Sequence, residues 1–247
     1  MFSGCNNLKY NEYGNVKYLG DEQNPYLALI KPINNDITSV EINGATKVVC
    51  NGAFSGCSGM TSVTIPDSIT SIGESTFSGC GSLTNITIPD SVTSIGDYVF
   101  SGCANLESIS IPDSLKSIGK DVFDNCSSLE VKTYGNIYYL GNSKNPYVIL
   151  MGVKNTFATD NSISVNKSVK IIYHGAFRRC EKLVRVDIPN SVVYIGEKVF
   201  GGCRYLENIA YGGTEAEWRK ISSLSGSTDE GEITVKCKDG KVKFKIN

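Results

Sequence analysis

Nine cysteines and a single histidine are the side chains of this 247-residue sequence best suited to nucleophilic, redox or metal chemistry. Six cysteines recur every 23 residues in two series: Cys57, Cys80, Cys103 and Cys126, then Cys180 and Cys203. Zinc sites use closely spaced pairs such as C-x-x-C, which this spacing does not supply. Cysteines stacked in neighbouring turns would come within disulfide range but point in parallel, which disfavours bridging. The spacing therefore predicts buried thiols that act as small apolar residues.

A second column is acidic: Asp67, Asp90 and Asp113 share the period, with Asn190 in the fourth place. Carboxylates stacked about 5 Å apart could recruit Ca²⁺, but a solvated Pro-Asp-Ser turn explains the same residues, and both interpretations stay open. His174 occupies a position held elsewhere by Glu74, so we expect an exposed loop residue. A single histidine is too few for most metallohydrolase sites, and no serine or cysteine stands out as its partner in a catalytic triad. We therefore predict neither catalytic residues, nor a metal, nor a cofactor.

The elements that carry these columns belong to an internal repeat of 23 residues. Phenylalanine, isoleucine and proline keep the same period, as in Phe54, Phe77, Phe100 and Phe123. In Asn85–Ile88 polar and apolar residues alternate, which is typical of a half-buried strand. Pro89 ends that strand because it has no N–H to donate. One such unit cannot bury its apolar edge alone, so the pattern predicts a solenoid of stacked parallel strands.

Two inserts interrupt the repeat, at residues 8–34 and 129–157, approximately. They share the pattern Y-G-N, then Y-L-G, then N-P-Y, beginning at Tyr13 and Tyr134. Each is predicted to be a β-hairpin, residues 16–20 against 25–30 and residues 137–141 against 146–151. The inserts add four tyrosines that we expect to be exposed and that favour either a binding surface or cross-strand packing: Tyr18, Tyr26, Tyr139 and Tyr147.

The last 36 residues, 212–247, differ from the repeat and predict a C-terminal cap on a solenoid of residues 1–211. The sequence from Thr214 to Glu217 forms a capping box, so a helix is predicted over residues 214–224. Residues 232–246 alternate around Asp239-Gly240, which predicts a hairpin with a type I′ turn. At the other end, Phe2–Cys5 matches Phe77–Cys80, so we expect the chain to begin part-way through a unit.

Charge is balanced overall but uneven along the chain. The 24 basic and 25 acidic residues give a formal net charge of −1, which supplies no general reason to bind nucleic acid or an anionic membrane. No run of 18 apolar residues predicts a membrane span. No lysine or arginine lies between Val48 and Leu115, whereas all five arginines follow residue 177. This is either an ordinary solvated surface or a basic end that meets an acidic partner.

The sequence resembles the BspA-like, or Treponema pallidum-type, leucine-rich-repeat family over nearly its whole length. The stretches that carry the resemblance are I-P-D-S-V-T-S-I-G at Ile88–Gly96, F-S-G-C at Phe77–Cys80, the two N-P-Y inserts and G-T-E-A-E-W from Gly213. The resemblance implies an α/β repeat solenoid with a 23-residue period, two hairpin inserts and a helix-plus-hairpin cap. It also implies a bacterial cell-surface or secreted protein that adheres to host matrix proteins, host cells or other bacteria.

The outward strand positions are the predicted ligand surface of this non-catalytic binding module. They comprise Asn85, Thr87, Ser108, Ser110, Arg185 and Asp187. Arg185 and Asp187 are charged, whereas the equivalent positions of the earlier turns hold neutral polar residues. Arginine is also enriched in interface hot spots. The expected ligand is a host matrix or cell-surface protein, with a glycan possible. A structural spacer that presents another domain, or a carbohydrate-binding threonine and serine face, remain alternatives.

Overall fold

The computed structural model describes residues 9–156, 161–221 and 231–246, so the predicted repeat match at Phe2–Cys5 lies outside the described residues. The chain forms two compact units. Unit 1 comprises residues 1–109 and 121–129, and unit 2 comprises residues 110–120 and 130–247. Each unit is a stretch of β-solenoid in which parallel strands recur about every 23 residues, which confirms the predicted architecture. The division into a 1–211 solenoid and a 212–247 cap stays a prediction.

Unit 1 is built from short strands whose pairing follows the repeat. In parallel pairs Val40 lies opposite Val63, and Ile72 lies opposite Ile95, each a step of 23 residues. The last of these strands runs into unit 2. The strands are β1 (Asn11–Tyr13), β2 (Val16–Leu19), β3 (Ala28–Pro32), β4 (Ser39–Glu41), β5 (Val48–Val49), β6 (Ser62–Thr64), β7 (Ser71–Ile72), β8 (Asn85–Thr87), β9 (Ser94–Ile95) and β10 (Ser108–Ser110).

Unit 2 contains two five-stranded sheets, in the orders β12-β13-β14-β16-β18 and β15-β17-β19-β20-β21. In the second sheet Ile163, Val186, Ile209 and Val235 lie side by side and are buried. The elements are β11 (Ser117–Ile118), β12 (Lys132–Tyr134), β13 (Ile137–Leu140), β14 (Ile149–Val153), β15 (Ser162–Ser164), β16 (Ile171–Ile172), β17 (Arg185–Ile188), β18 (Tyr194–Ile195), β19 (Asn208–Tyr211), α1 (Glu215–Ile221), β20 (Gly231–Lys236) and β21 (Lys241–Ile246).

The core of each unit is a stack of phenylalanine rings. In unit 1 the ring of Phe77 is 5.6 Å from those of Phe54 and Phe100, and Phe100 is 6.0 Å from Phe123, with planes within 9° of parallel. In unit 2 the ring of Phe177 lies 5.5 Å from that of the next turn. This regular stacking follows from the 23-residue period, because equivalent residues of neighbouring turns lie one strand spacing apart.

The inserts are hairpins, as predicted, but each has an additional edge strand. Antiparallel β2 and β3 pair Leu19 with Ala28, and β1 pairs with the other side of β2. The prediction placed the partner strand at residues 25–30, but β3 begins three residues later, at Ala28. The carboxylate of Asp21 accepts the N–H of Asn24 at 2.7 Å, and the side-chain oxygen of Asn24 accepts the N–H of Tyr26 at 3.2 Å. These bonds hold residues 21–26 in a loop.

The C-terminal segment contains the predicted helix and hairpin with a different turn. The helix ends at Ile221 within the described residues, and the remainder of the predicted 214–224 segment lies outside them. Lys236 pairs with Lys241, and the N–H of Cys237 donates to the carbonyl of Gly240 at 2.9 Å, so Lys238 and Asp239 are the central residues of the turn. Neither has a positive φ, so the predicted type I′ turn at Asp239-Gly240 is wrong. The carboxylate of Asp239 accepts the N–H of Glu215 at 2.8 Å, and the N–H of Lys238 donates to the carbonyl of Gly213, so the turn lies against the start of the helix.

Candidate ligand surface

The polar strand face of unit 1 has the predicted alternation. Asn85 and Thr87 are exposed on either side of the buried Ile86, and Ser108 is exposed in the next turn. The N–H of Ser108 donates to the carbonyl of Thr84 at 3.3 Å, which places the two turns side by side. These neutral side chains form a regular polar ladder.

In unit 2 the outward strand positions carry charge. The parallel register places Ser162, Arg185, Asn208 and Thr234 in one outward column, and Ser164, Asp187, Ala210 and Lys236 in the next. The isoleucine and valine residues between the two columns are buried. The alternation that defines the strands therefore turns both columns toward solvent. Ser110, the remaining predicted site residue, is half-buried and belongs to unit 2.

Arg185 and Asp187 are paired with each other. Arg185 Nε donates to Asp187 Oδ1 at 2.7 Å, while the side chains keep 49% and 40% of their accessible surface. The hydroxyl of Ser164 donates to the other oxygen of Asp187 at 3.3 Å. An exposed pair of this kind contributes only about 0–1 kcal/mol to stability. Sequence reasoning did not identify Ser164 as a member of this group, although its position 23 residues before Asp187 is the signal that would have found it.

The two units have opposite formal charge. Unit 1 carries 4 lysines and arginines against 12 aspartates and glutamates, a net charge of −8. Unit 2 carries 20 against 13, a net charge of +7. The near-neutral total therefore conceals two strongly charged parts, and charged partners would be attracted to one unit and repelled by the other.

The aspartate column does not gather into a metal site. Asp67, Asp90 and Asp113 are all exposed, and the amide nitrogen of Asn145 donates to Asp113 at 2.8 Å. Among the described residues, no group of three or more His, Cys, Asp or Glu could hold a metal ion. His174 is half-buried with its Nδ1 atom inaccessible, so the predicted exposed position is wrong.

Four of the column cysteines donate hydrogen bonds to backbone carbonyls; Cys80, Cys103 and Cys203 are buried, and Cys126 is half-buried. The thiol of Cys103 donates to the carbonyl of Phe77 at 3.1 Å, and Cys126 makes the equivalent bond to Phe100 at 3.1 Å. Burial raises the pKa of Cys103 to about 12 and the pKa of Cys126 to about 11. Reactive cysteines need a lowered pKa and access to solvent. These thiols are free, as predicted for a spine of small apolar residues, and they lack the properties of nucleophiles.

The insert tyrosines form packed clusters rather than an exposed set. Tyr139 is buried, with its ring 5.1 Å from that of Tyr147 in an edge-to-face arrangement, and Tyr18 is buried beside Tyr26 in the same way. The predicted exposure of Tyr18 and Tyr139 is therefore wrong. Cross-strand packing, the alternative explanation from the sequence, accounts for both clusters. In the Tyr139–Tyr147 cluster the exposed member is Tyr134, whose ring lies 6.1 Å from that of Tyr147.

Parallel strands at a 23-residue step over a phenylalanine stack define a leucine-rich-repeat solenoid. The chain belongs to the family of BspA type leucine-rich-repeat regions, whose sequence pattern matches six times over residues 33–144 and 154–228. Proteins of this family and fold are generally non-catalytic. No curated protein matches the chain significantly. Within the described residues, no helix is long and apolar enough to cross a membrane.

Solved structures of leucine-rich-repeat proteins are similar to parts of this chain. One from Bacteroides ovatus is 26% identical, with a TM-score of 0.42, and the match covers 72% of this chain and 38% of that protein. The Treponema pallidum leucine-rich-repeat protein is 23% identical, with a TM-score of 0.47, over 90% of this chain and 98% of its own. A leucine-rich cell surface protein from Faecalibacterium prausnitzii is 20% identical, with a TM-score of 0.37, over 90% and 100%.

Proposed function

We propose that the chain is a non-catalytic binding module of a cell-surface or secreted bacterial protein, and that it binds a protein ligand through its polar strand face. Membership of the BspA-type family supports protein binding as the general activity. In unit 1 the polar ladder of Asn85, Thr87 and Ser108 supplies hydrogen-bonding groups. In unit 2 Ser110 and the charged Arg185–Asp187 pair supply others. Adhesion to a host matrix or cell-surface protein is the specific role that we infer.

The observation that carries this proposal is the geometry of Arg185. Its Nε atom is fixed on Asp187, which Ser164 also holds, so the guanidinium is oriented before any ligand arrives. Within the described residues no other side chain takes up its terminal nitrogens. An arginine that is oriented in the free protein loses less conformational entropy on binding, and arginine is enriched in interface hot spots.

A double charge reversal tests the proposal. Arg185→Glu with Asp187→Lys keeps the net charge and can re-form the pair, so the melting temperature should change by no more than a few degrees, because an exposed pair contributes about 0–1 kcal/mol. Binding to immobilised fibronectin or fibrinogen, used as matrix-protein probes, should fall about tenfold or more, which corresponds to about 1.4 kcal/mol.

A matched control exists on the helix of unit 2, where Arg219 and Glu215 form another exposed ion pair at 2.7 Å. Reversal of that pair should leave binding unchanged. Undiminished binding by the Arg185 and Asp187 variant would place the ligand surface elsewhere. Treatment of intact cells with protease tests the location, since a surface protein should be cleaved while cytoplasmic proteins survive.

A further inference from the structure

Two neighbouring loops of unit 2 form a basic surface away from the strand face. These loops, residues 174–182 and 197–205, contain the F-x-x-C motifs and lie between the short strands of successive turns. We call them the return loops. All five of their lysines and arginines are exposed, and within the described residues none takes part in an ion pair: Arg178, Arg179, Lys182, Lys198 and Arg204. The only carboxylates in the two loops are Glu181 and Glu197, so the net charge of the surface is +3 with neutral histidine.

Gly201 and Gly202 lie between the cationic side chains of the two loops, so these side chains form one contiguous surface. A Cβ atom on Gly201 would lie 3.8 Å from Cγ of Arg178 and 3.9 Å from Cβ of Lys198. A Cβ atom on Gly202 would lie 3.3 Å from Cγ of Arg179. The cationic side chains therefore lie around a place without side chains of its own. Arg204 and Tyr205 continue the same loop, and Tyr205 retains 65% of its accessible surface.

Unit 1 shows that the fold does not need these cations. Its return loops have the same phenylalanine stacking, with rings 5.6 Å apart against 5.5 Å in unit 2. Serine and glycine, as in Ser78 and Gly79, occupy the positions of Arg178 and Arg179. The loops of unit 1 are therefore neutral at these positions or, at Asp124, acidic, and the basic character is specific to unit 2.

The backbone adds an independent observation at Arg179. Its φ is +60°, in the left-handed region. The equivalent residues Gly79, Gly102 and Gly202 have φ between +73° and +76°, and Asn125, of a type that tolerates this region, has φ +56°. Glycine adopts this conformation without strain, whereas a side chain with a Cβ atom does so at some cost in stability. Strained residues of this kind cluster at functional sites, where a gain in function offsets the strain. Ser75, Tyr98 and Asp121 also have positive φ in the loops of unit 1, so this conformation belongs to the loop fold. What is specific to unit 2 is that an arginine adopts it next to a second arginine, and that placement is explained by ligand binding better than by folding.

We propose that the return-loop surface of unit 2 binds a sulfated polysaccharide. Each guanidinium presents a planar set of donors that matches two oxygens of a sulfate group, which a lysine ammonium does not. Several cations spread over two turns suit a polymer with repeated charges better than a single small anion. Tyr205 offers a flat apolar face and a hydroxyl to a sugar ring beside Arg204. This site is separate from the strand face and goes beyond the proposed protein binding.

The experiment uses the full chain with heparin as the probe, measured by calorimetry at physiological ionic strength. The variant Arg178→Ser with Arg179→Gly restores the F-S-G-C motif of unit 1, so it should fold as stably as the parent or more so. Its affinity for heparin should fall about tenfold or more. The control Lys238→Ser with Lys241→Ser removes two positive charges from exposed positions of unit 2 and should change the affinity less than about threefold.

Four results would overturn the proposal. The first is the absence of heparin binding by the parent, and the second is an equal loss in both variants, which would indicate only general attraction to a positive unit. The third is equal affinity for desulfated heparin or for polyglutamate, since either would remove the need for sulfate. The fourth is salt-dependent self-association without heparin that disappears in the Arg178 and Arg179 variant, because the surface would then contact the acidic unit of a second copy.

Discussion

Truncation of one ring in the phenylalanine stack should damage the protein far more than truncation of a strand-face residue. Phe100 is fully buried, and its ring lies 5.6 Å from Phe77 and 6.0 Å from Phe123. Removal of a buried phenylalanine side chain typically destabilises by about 3–5 kcal/mol. The Phe100→Ala change also removes two stacked contacts worth about 0.5–1.5 kcal/mol each, so the upper part of that range is expected. Thr87 is exposed, and Thr87→Ala should cost less than about 0.5 kcal/mol.

The measurement is urea denaturation followed by circular dichroism, with thermal melting in parallel. A loss of about 4 kcal/mol lowers the melting temperature of a chain this size by roughly 8–16 °C. Repeat proteins can unfold in parts, so a transition confined to the damaged unit would appear as a broadened or double curve and would count in favour. Equal midpoints for Phe100→Ala and Thr87→Ala would refute the assignment of inward and outward faces.

Three further outcomes follow from the geometry of the turns and the cap. Gly96→Ala should destabilise strongly, because its Cβ atom would lie 2.7 Å from the backbone nitrogen of Glu74, whereas Gly81→Ala has open space and should be neutral; comparable denaturation midpoints would contradict this. Glu217→Ala should lower the denaturation midpoint, because Glu217 accepts the N–H of Thr214 at 2.7 Å in the capping box, and an unchanged midpoint would argue against that role. Most of the nine cysteines should react with a thiol reagent in denaturant without reductant, and few in the folded protein; fewer than three reactive thiols in denaturant would exclude a reduced spine.

Alkaline pH provides a related test of the thiol column. A thiol whose folded pKa is raised holds its proton in the native state while the unfolded chain releases it near pH 9. Its stabilising contribution is therefore complete below pH 9 and declines as pH rises toward the folded value. For a fully buried thiol such as Cys103, whose folded pKa is about 12, the decline is about 1.4 kcal/mol per pH unit. Cys103→Ala should flatten the fall in stability between pH 9 and pH 11, and an unchanged slope would count against burial of this thiol.

The sequence predicted the repeat because one period organises several residue types at once. Every Phe, Cys and Ile column could be placed inside from periodicity alone. The edge strand β1 was missed because Asn11, Glu12 and Tyr13 show no apolar alternation, and all three are exposed. The hairpin turn near Asp239 was misassigned because its carboxylate caps a helix 24 residues earlier, a contact that local turn rules do not include.

The candidate ligand surface was predictable in position but not in organisation. Alternation showed which residues of β8 and β17 point outward, and the structure agrees. It could not show that Arg185 and Asp187 hold each other, because alternation places side chains on a face without fixing their conformations. Ser164 could have been found from the 23-residue step that pairs it with Asp187. The uneven distribution of charge was visible in the sequence. Its division into −8 and +7 became apparent only when the boundaries of the units were known.

The bond from the thiols of Cys80, Cys103, Cys126 and Cys203 to a phenylalanine carbonyl one turn earlier has a consequence for the evolution of length. Within a unit the contact between turns is the same from one step to the next, as the matching bonds of Cys103 and Cys126 show. Duplication or deletion of 23 codons in phase would therefore join surfaces that already fit and would create no new junction. Such events change the reach of the chain in steps of about 4.8 Å, the spacing between neighbouring strands. Gene recombination could thus vary how far a binding surface extends while the interior of each turn stays unchanged.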